Sequence, residues 1–227
     1  MSYNKTKTDP ELGIRVHQYL QDCGVQTPIH PNNLSRSEKI DQIEKLAAEM
    51  HKVLGLDLND DSLAETPKRI AKMMVNEIYW GLDAEAFPKC TTVENKMGYD
   101  EMVVEQNITV YSDCEHHWRP IVGTATIAYI PDKKVLGLSK MPRIVEYFAR
   151  RPQIQERLTE QVYHALEYIL ETSNIAVSIT AQHLCVSQRG VEDSSASTVT
   201  NKLGGVFKED PATRQEFMQI CRSNNRY

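Results

Sequence analysis

Two short groups of cysteine and histidine constrain the fold of this chain more than any other feature. The first is Cys114-Glu115-His116-His117, and the second is His183-Leu184-Cys185, much later in the chain. Thiolate and imidazole are the ligands that Zn²⁺ prefers, and a C-x-x-H spacing lets two side chains from one turn reach one ion. If both groups serve one zinc site, the fold must bring these two distant segments together.

The second group follows a stretch with the periodicity of a strand. Residues two apart in a strand share a face, so His183 and Cys185 are predicted to project together. The same face continues upstream through four apolar residues, Ile175, Val177, Ile179 and Ala181. This alternation predicts that the pair lies at the end of a buried strand face.

Each group taken singly has a simpler explanation than a metal. A lone Cys114 is typical of a small buried hydrophobic residue, and a lone His183 is typical of a core histidine with satisfied polar atoms. The chain has five cysteines, and the three outside the two groups, Cys23, Cys90 and Cys221, are scattered. An odd, scattered set argues against a disulfide framework, so the two groups together favour metal binding or catalysis.

The spacing leaves two kinds of zinc site open. Four donors, namely Cys114, His117, His183 and Cys185, would close a tetrahedral structural site. Three donors would leave one position for water, as catalytic zinc sites do. His116 has no role in the closed site, which favours the open one without deciding the question.

Composition excludes several classes of function. The chain of 227 residues has 41% hydrophobic and 25% charged residues and a net charge of −5, which argues against a general nucleic-acid or membrane-surface binder. An anionic substrate would need a local basic cluster. No run approaches the ~20 apolar residues of a membrane span. Residues 1–10 are polar and lack the apolar core of a secretory signal, so we expect a cytoplasmic protein.

Helical periodicity dominates the first part of the chain. Apolar spacing predicts a helix over 12–23, and Ser35 and Glu38 form a capping-box pattern that opens a second helix ending at Gly55. A third helix is predicted from Thr66-Pro67 to Gly81. We therefore predict a helical N-terminal region over residues 1–90.

The remainder, residues 91–227, predicts an α+β domain. Stretches rich in Val, Ile, Thr and Tyr predict two antiparallel strands that flank the first Cys/His group. Pro152 is predicted to introduce a long helix. The predicted elements are strands over 102–112, 121–130, 174–186 and 197–201, and helices over 141–150, 152–169 and 211–222.

Three further groups of residues suit an anionic purine substrate. Ser139-Lys140-Met141-Pro142-Arg143 places two cations at the start of a helix, where anions bind. Arg189 follows the second Cys/His group, and Gln155-Glu156 offers an amide and a carboxylate for a purine edge. Taken singly, each pattern is also typical of a solvated surface.

Several motifs in register give the chain a specific resemblance. They run from about Leu58 to Phe217, and together they resemble the GTP cyclohydrolase I family. The motifs are Glu65-Thr66-Pro67-Lys68-Arg69-Ile70-Ala71, Cys114-Glu115-His116-His117, Gly137-Leu138-Ser139-Lys140, Arg150-Arg151-Pro152-Gln153-Ile154-Gln155-Glu156-Arg157-Leu158-Thr159, His183-Leu184-Cys185, Arg189-Gly190 and Leu203-Gly204-Gly205.

The resemblance implies a fold, an assembly and a metal set. The family has a tunnelling fold, an antiparallel sheet backed by helices, and forms an allosteric homodecamer of two pentameric rings with active sites at subunit interfaces. By motif match, the open zinc site would use Cys114, His117 and Cys185. His116 and His183 would then remain for proton transfer.

The resemblance also implies a reaction in tetrahydrofolate biosynthesis and one-carbon metabolism. Zinc-activated water would attack guanine C8 of GTP while His183 protonates N7. Formate would leave, and rearrangement of the ribose with Ser139 and His116 would give 7,8-dihydroneopterin triphosphate. The implied substrate-binding residues are Leu138, Lys140, Arg143, Gln155, Glu156, Arg189 and Arg69.

Two residues depart from the pattern expected of the family, and other functions remain as alternatives. Trp118 is bulkier than expected, and Glu192 adds negative charge near the implied phosphate end. One alternative is another tunnelling-fold purine or pterin enzyme, such as a nitrile reductase with a cysteine nucleophile. Another is a non-catalytic module with a structural zinc. A zinc deaminase would need an H-x-E and a P-C-x-x-C motif, which the chain lacks.

Overall fold

The computed structural model describes residues 7–30 and 32–223, so part of the polar N-terminal stretch lies outside the described residues. Helix α1 (Pro10–Asp22) begins where the Asp9 carboxylate accepts a hydrogen bond from the amide of Leu12. Helix α2 (Arg36–Val53) begins with the predicted capping box. Ser35 and Glu38 each accept from the other's backbone amide, at 3.3 and 2.7 Å.

The third predicted helix is shorter than expected. Helix α3 (Thr66–Met73) passes into a π-helical turn and then short 3₁₀ turns, so the prediction of a helix up to Gly81 is wrong. Gly81 donates its amide to the carbonyl of Arg150 at 2.9 Å, and a Cβ there would overlap the carbonyl oxygen of Tyr147. This close approach to another part of the backbone replaces the last helical turn.

The sheet contains the predicted antiparallel pair. It has five strands in the order β5-β2-β3-β6-β7, antiparallel except for the β2–β5 pair, and β1 and β4 form a separate two-stranded sheet that we did not predict. The strands are β1 (Thr92–Glu94), β2 (Val103–Cys114), β3 (Pro120–Tyr129), β4 (Lys134–Leu136), β5 (Pro152–Gln153), β6 (Ile175–His183) and β7 (Thr198–Leu203).

Helices cover both faces of this sheet. The remaining helices are α4 (Lys140–Ala149), α5 (Gln155–Leu170), the short turns α6 (Leu184–Ser187) and α7 (Val206–Glu209), and α8 (Pro211–Ser223). Ile127 and Val177 share the main core with α4 and α5, whereas their neighbours Ala128 and Ala176 pack with Phe217 of α8. Successive strand residues point to opposite faces, so α8 covers the face opposite α4 and α5.

Two predicted boundaries are corrected. Pro152 does not open the long helix, because Pro152 and Gln153 pair with β2 and the helix begins at Gln155. The strand predicted over 174–186 ends at His183, and Cys185 lies in the helical turn α6. The register pairs His183 with Ile121, and the carbonyl of Arg119 is already bonded to the amide of Cys114 at 2.9 Å. Because β3 begins at Pro120, this register leaves no strand residue opposite Cys185; the chain turns helical after His183, and His183 and Cys185 do not share a strand face.

The N-terminal helices share a core with the α+β part. Val16 and Leu20 of α1 are fully buried in the same cluster as Leu158 and Val162 of α5. The division at residue 90 stays a prediction. None of the helices within 7–30 and 32–223 has the length and hydropathy needed to cross a membrane.

Candidate metal centre and active site

The first Cys/His group forms the connection between β2 and β3, which we call the ligand turn (residues 114–119). Cys114 is the last residue of β2, and its carbonyl accepts from the amide of Trp118 at 2.9 Å. Its own amide donates to the carbonyl of Arg119 at 2.9 Å. These two bonds close the turn tightly, and Trp118 takes a left-handed backbone conformation with φ of 50°.

The register of the sheet brings the second group to this turn. Because Ile121 pairs with His183, the end of β6 lies beside the start of β3, and α6 follows directly. The ligand atoms of Cys114, His117 and Cys185 lie within 4.8 Å of one another. In the described part of the chain, this is the one group of three or more such residues with that geometry.

The chemistry and spacing of this group fit a zinc ion. The Cys114 Sγ lies 3.9 Å from Nδ1 of His117. Zinc bonds of about 2.3 Å to sulfur and about 2.0 Å to nitrogen place tetrahedral ligands roughly 3.5–3.8 Å apart, so little movement is required. Burial and the contact with the Cys114 thiol raise the pKa of Cys185, and a bound cation would replace these thiol protons.

The group is open on one side. Cys114 is 6% exposed and Cys185 is partly buried, whereas His117 is exposed. Arg189 contacts His117 from the outside, with Nη1 3.2 Å from Nε2. A metal-bound imidazole keeps its hydrogen on the other nitrogen, so this contact competes with a metal on Nδ1.

His183 lies beside the group but is oriented by another residue. Its Nε2 is 2.7 Å from Oε1 of Gln155. The Gln155 nitrogen donates to the carbonyls of Ile179 and Thr198, each at 3.0 Å, which fixes the orientation of the amide. Gln155 therefore presents an acceptor, Nε2 of His183 carries the hydrogen, and Nδ1 remains to take or release a proton.

His183 is half-buried next to a carboxylate. Burial lowers its pKa, and the charge of Glu156 in the first turn of α5 partly opposes this. Glu156 follows Gln155, whose side chain orients this imidazole.

His116 faces the same thiol as His117. Its Nδ1 lies 3.7 Å from the Sγ of Cys114, and its side chain is 62% exposed. Its Nε2 lies 3.8 Å from a carboxylate oxygen of Glu115, whose other oxygen is 2.5 Å from Nη1 of Arg157. Sequence reasoning missed Arg157 as a partner of the ligand turn, because only the β2–β5 pairing brings the start of α5 beside it.

Of the cations predicted to bind phosphate, Arg189 contacts this group, but Lys140, Arg143 and Arg69 are not shown to reach it in one chain. Lys140 and Arg143 lie in the first turn of α4, and the other end of that helix leads to β5 beside Cys114. A helix of ten residues is about 15 Å long, which separates these cations from the ligand turn. Ser139 precedes this helix, and Leu138 is 64% exposed. Arg69 is exposed on α3.

Comparison with known proteins gives one consistent family. The family model for GTP cyclohydrolase I matches residues 43–222. GTP cyclohydrolase 1 of Shewanella sp. (strain ANA-3) is 55% identical over 208 residues, which cover 92% of this chain and 96% of that protein. The protein of the same name from Shewanella amazonensis is 55% identical over 212 residues, covering 93% and 98%.

A solved structure gives only a distant likeness. Dihydroneopterin aldolase from Burkholderia thailendensis bound to guanine matches 49% of this chain and 97% of its own, with 12% identity and a TM-score of 0.31. This likeness is too weak to bear on fold or function. The family match and the close relatives confirm the resemblance read from the motifs, and with it the α+β tunnelling-fold class. The chain therefore belongs to the GTP cyclohydrolase I family.

Proposed function

We propose that this protein hydrolyses GTP at guanine C8, releases formate and forms 7,8-dihydroneopterin triphosphate. The observation that carries the proposal is the meeting of Cys114, His117 and Cys185 beside His183, in a chain whose relatives are named GTP cyclohydrolase 1. A three-donor group supports the open type of site. His183 is not among the three residues whose ligand atoms lie within 4.8 Å of one another, which supports the open site over a closed four-donor structural zinc.

We propose zinc as the metal. Two thiolates and an imidazole are soft and borderline ligands that suit zinc, whereas Mg²⁺ and Ca²⁺ prefer oxygen. When bound, the ion would supply a water activated near neutral pH for attack on C8. Cys114 and His117 would hold it from the ligand turn, and Cys185 from α6.

His183 would move the proton. The Gln155 oxygen accepts the hydrogen bond from Nε2. Nδ1 is therefore the atom that would donate a proton to guanine N7 and later be protonated again. An imidazole suits this role because its unperturbed pKa lies near neutral pH, so it can both take up and release a proton. His116, on the exposed side of the turn, would serve with Ser139 in the rearrangement of the ribose.

Guanine recognition would rest on the start of α5. The Glu156 carboxylate is an acceptor for the amino group and N1–H of the base. Gln155 would act through His183, because its amide nitrogen is already used by Ile179 and Thr198. Leu138 would cover the base from outside, and its exposure in one chain suits a contact made across an interface.

The triphosphate would be bound by cations from more than one chain. Lys140, Arg143, Arg189 and Arg69 would neutralise the tail, which a protein with a net charge of −5 must do locally. The separation of α4's first turn from the ligand turn supports a site shared between neighbouring subunits. We propose a homodecamer of two pentameric rings, with allosteric behaviour as in the family.

We place the enzyme in the cytoplasm, without nucleic-acid or membrane partners. The free thiols of Cys23, Cys90 and Cys221 suit a reducing compartment. The acidic net charge disfavours polyanionic partners.

The proposal is tested by formate release from GTP. We expect formate, together with neopterin fluorescence after oxidation and dephosphorylation, from the zinc-loaded protein. Both should be lost on chelation without unfolding and lost in His183→Ala. The exposed His30→Ala variant is the matched control and should retain activity. No turnover by a folded, zinc-loaded protein would overturn the enzyme, and turnover after complete metal removal would overturn the metal's role.

A further inference from the structure

We infer that residues 25–27, which follow α1, position the metal-binding ligand turn through the buried side chains of Gln161 and Gln153. The inference rests on the proposed metal site and adds positioning residues to it. The sequence pattern of these N-terminal residues predicts no function for them. The structure connects them, by a continuous series of hydrogen bonds, to the amide of Glu115, the residue after Cys114.

The series begins at strand β5. Gln153 pairs with Cys114 in the parallel β2–β5 ladder, and its carbonyl accepts from the amide of Glu115 at 3.0 Å. The backbone of the ligand turn is thus bonded directly to β5. A strand of two residues has few ladder bonds of its own, so its position depends on how its side chains are held.

The Gln153 side chain provides that attachment. It is fully buried, and its amide nitrogen donates to the carbonyl of Phe148 at 2.8 Å and to Oε1 of Gln161 at 2.7 Å. The first bond fixes Gln153 to the end of α4. The second fixes it to the middle of α5.

Gln161 passes the attachment to the N-terminal segment. It is also fully buried, and its nitrogen donates to the carbonyl of Val25 at 2.9 Å and to Oγ1 of Thr27 at 3.0 Å. Its oxygen accepts from Gln153. All of these bonds are compatible with one amide orientation, so the series is directional and has no alternative pairing.

Arg151 forms a second connection to the same segment. It is fully buried, its guanidinium lies 4.9 Å from the ring centres of Tyr147 and Phe148, and it forms no salt bridge with a carboxylate within the described residues. Its Nη1 donates to Thr27 Oγ1 at 3.3 Å and to Gln26 Oε1 at 3.4 Å. A buried cation without a carboxylate requires such neutral acceptors.

Arg151 also reaches β2. Its carbonyl accepts from the hydroxyl of Ser112, two residues before Cys114, at 3.2 Å. The Thr27 hydroxyl oxygen therefore accepts from two donors, Arg151 and Gln161. Arg151 contacts β2 through its own carbonyl, and Gln161 contacts β2 through its partner Gln153. Removal of the Thr27 hydroxyl would leave each of these buried donors with one acceptor fewer.

The consequence concerns metal affinity, because affinity depends on how firmly the ligands are preorganised. Loss of the groups that orient metal ligands typically lowers affinity by 10–100-fold. The series acts on Cys114 through the backbone, so we expect the lower end, about tenfold weaker zinc binding. Thr27→Val and Gln161→Met remove the polar atoms with little change in shape.

The experiment measures zinc binding by competition with a chromophoric chelator, on the full-length protein at a temperature where every variant is folded. Thr27→Ser keeps the hydroxyl and should bind zinc like the wild type. Tyr19→Phe is the matched control, because it removes the 2.9 Å bond from Tyr19 to Glu167 that also joins α1 to α5 but does not lead to β5.

About tenfold weaker zinc binding in Thr27→Val, with wild-type binding in Thr27→Ser and Tyr19→Phe, would support the inference. Equal zinc binding in Thr27→Val and the wild type would overturn it and leave the proposed metal site intact. A wild type that binds no zinc would overturn both. If Gln161→Met does not fold, the Thr27 pair decides.

Discussion

The amide oxygen of Gln155 lies 2.7 Å from Nε2 of His183, and the amide nitrogen is bonded to carbonyls of β6 and β7. One side chain at the start of α5 therefore joins two neighbouring strands and sets the tautomer of the histidine beside the metal group. Gln155 is 1% exposed, so water cannot replace these bonds. The orientation of His183 therefore depends on how α5, β6 and β7 are packed together.

Gln155→Leu should reduce turnover while the protein remains folded. Without the acceptor, His183 can adopt either tautomer, and we expect kcat to fall by roughly tenfold or more. The carbonyls of Ile179 and Thr198 would lose their donor, which should lower the free energy of unfolding by about 1–3 kcal/mol. The ¹⁵N spectrum of the histidines should show a mixed tautomer for His183.

Thr200→Val is the control for this prediction. It removes the 3.1 Å bond from Gln155 to the Thr200 hydroxyl and the 2.6 Å bond between the hydroxyls of Thr200 and Thr159, and it leaves the contact with His183. It should keep kcat and the Nε2–H tautomer. Unchanged kcat in Gln155→Leu would contradict the proposed orienting role.

The C-x-x-H spacing and the strand patterns predicted which segments meet, but they did not predict how. Cys114 and His117 share one turn, as expected. Cys185 reaches them from a helical turn, because β3 begins at Pro120 and leaves no strand residue opposite Cys185. Strand alternation could not reveal this, since it depends on the partner strand.

Elements of two or three residues also could not be predicted from the sequence. The two-residue strand β5 has no periodicity, yet it connects the ligand turn to buried glutamines. The capping box at Ser35 and the β2–β3 pair were predicted correctly, because each follows from local chemistry or a long alternation. The roles of the individual site residues and the domain boundary stay predictions.

Acid should destabilise the protein through His17. Burial, and secondarily the charge of Arg151, lowers the pKa of His17 from 6.5 to about 4. The folded state disfavours the protonated form of His17. The free energy of unfolding is therefore highest, with respect to this group, above pH 6.5, and this advantage is lost as the pH falls toward 4. The pKa difference corresponds to up to about 3 kcal/mol.

Urea unfolding at pH 7 and pH 5 measures this effect, with His17→Gln for comparison. Wild-type stability should fall between the two values, and the fall should be smaller in the variant. The Nε2 of His17 lies 2.6 Å from the hydroxyl of Tyr147, so the glutamine keeps a donor there. The same pH dependence in both proteins would assign the loss to other groups.

Gly123→Ala should destabilise the sheet next to the site. A Cβ on Gly123 would overlap the carbonyl oxygen of Thr180 and the Cα of Ala181 in the adjacent strand β6. Both atoms belong to the backbone, so the strands must separate, at a cost of about 1–3 kcal/mol or more. Thermal unfolding measures the loss. Gly137→Ala, whose nearest neighbour would be 3.5 Å away, is the control and should be nearly neutral.

Arg157→Gln should impair the ligand turn without removing a metal ligand. Arg157 and Glu115 are 18% and 25% exposed and form a 2.5 Å ion pair, while the same carboxylate approaches His116. Without the guanidinium, the carboxylate is released toward His116. We expect kcat to fall about tenfold, with less change in KM for GTP, and Arg157→Lys to restore part of kcat.

Steady-state kinetics with zinc content measured in parallel tests this prediction. Zinc content should stay close to that of the wild type, because Cys114, His117 and Cys185 are untouched. A loss confined to KM would instead place Arg157 in substrate binding.

Mixing two inactive variants should restore activity if the site is shared between subunits. His183→Ala lacks the proposed proton donor. Lys140→Ala lacks a cation that we propose binds phosphate; it lies at the start of α4, about 15 Å along the helix from the end that leads to the ligand turn. When the two chains are dissociated, mixed in equal amounts and reassembled, some sites combine an intact His183 from one chain with an intact Lys140 from its neighbour. Random assembly of a symmetric ring predicts roughly a quarter of wild-type activity. Each variant reassembled alone is the control and should stay inactive, and an inactive mixture would show that Lys140 and His183 serve the site within one chain.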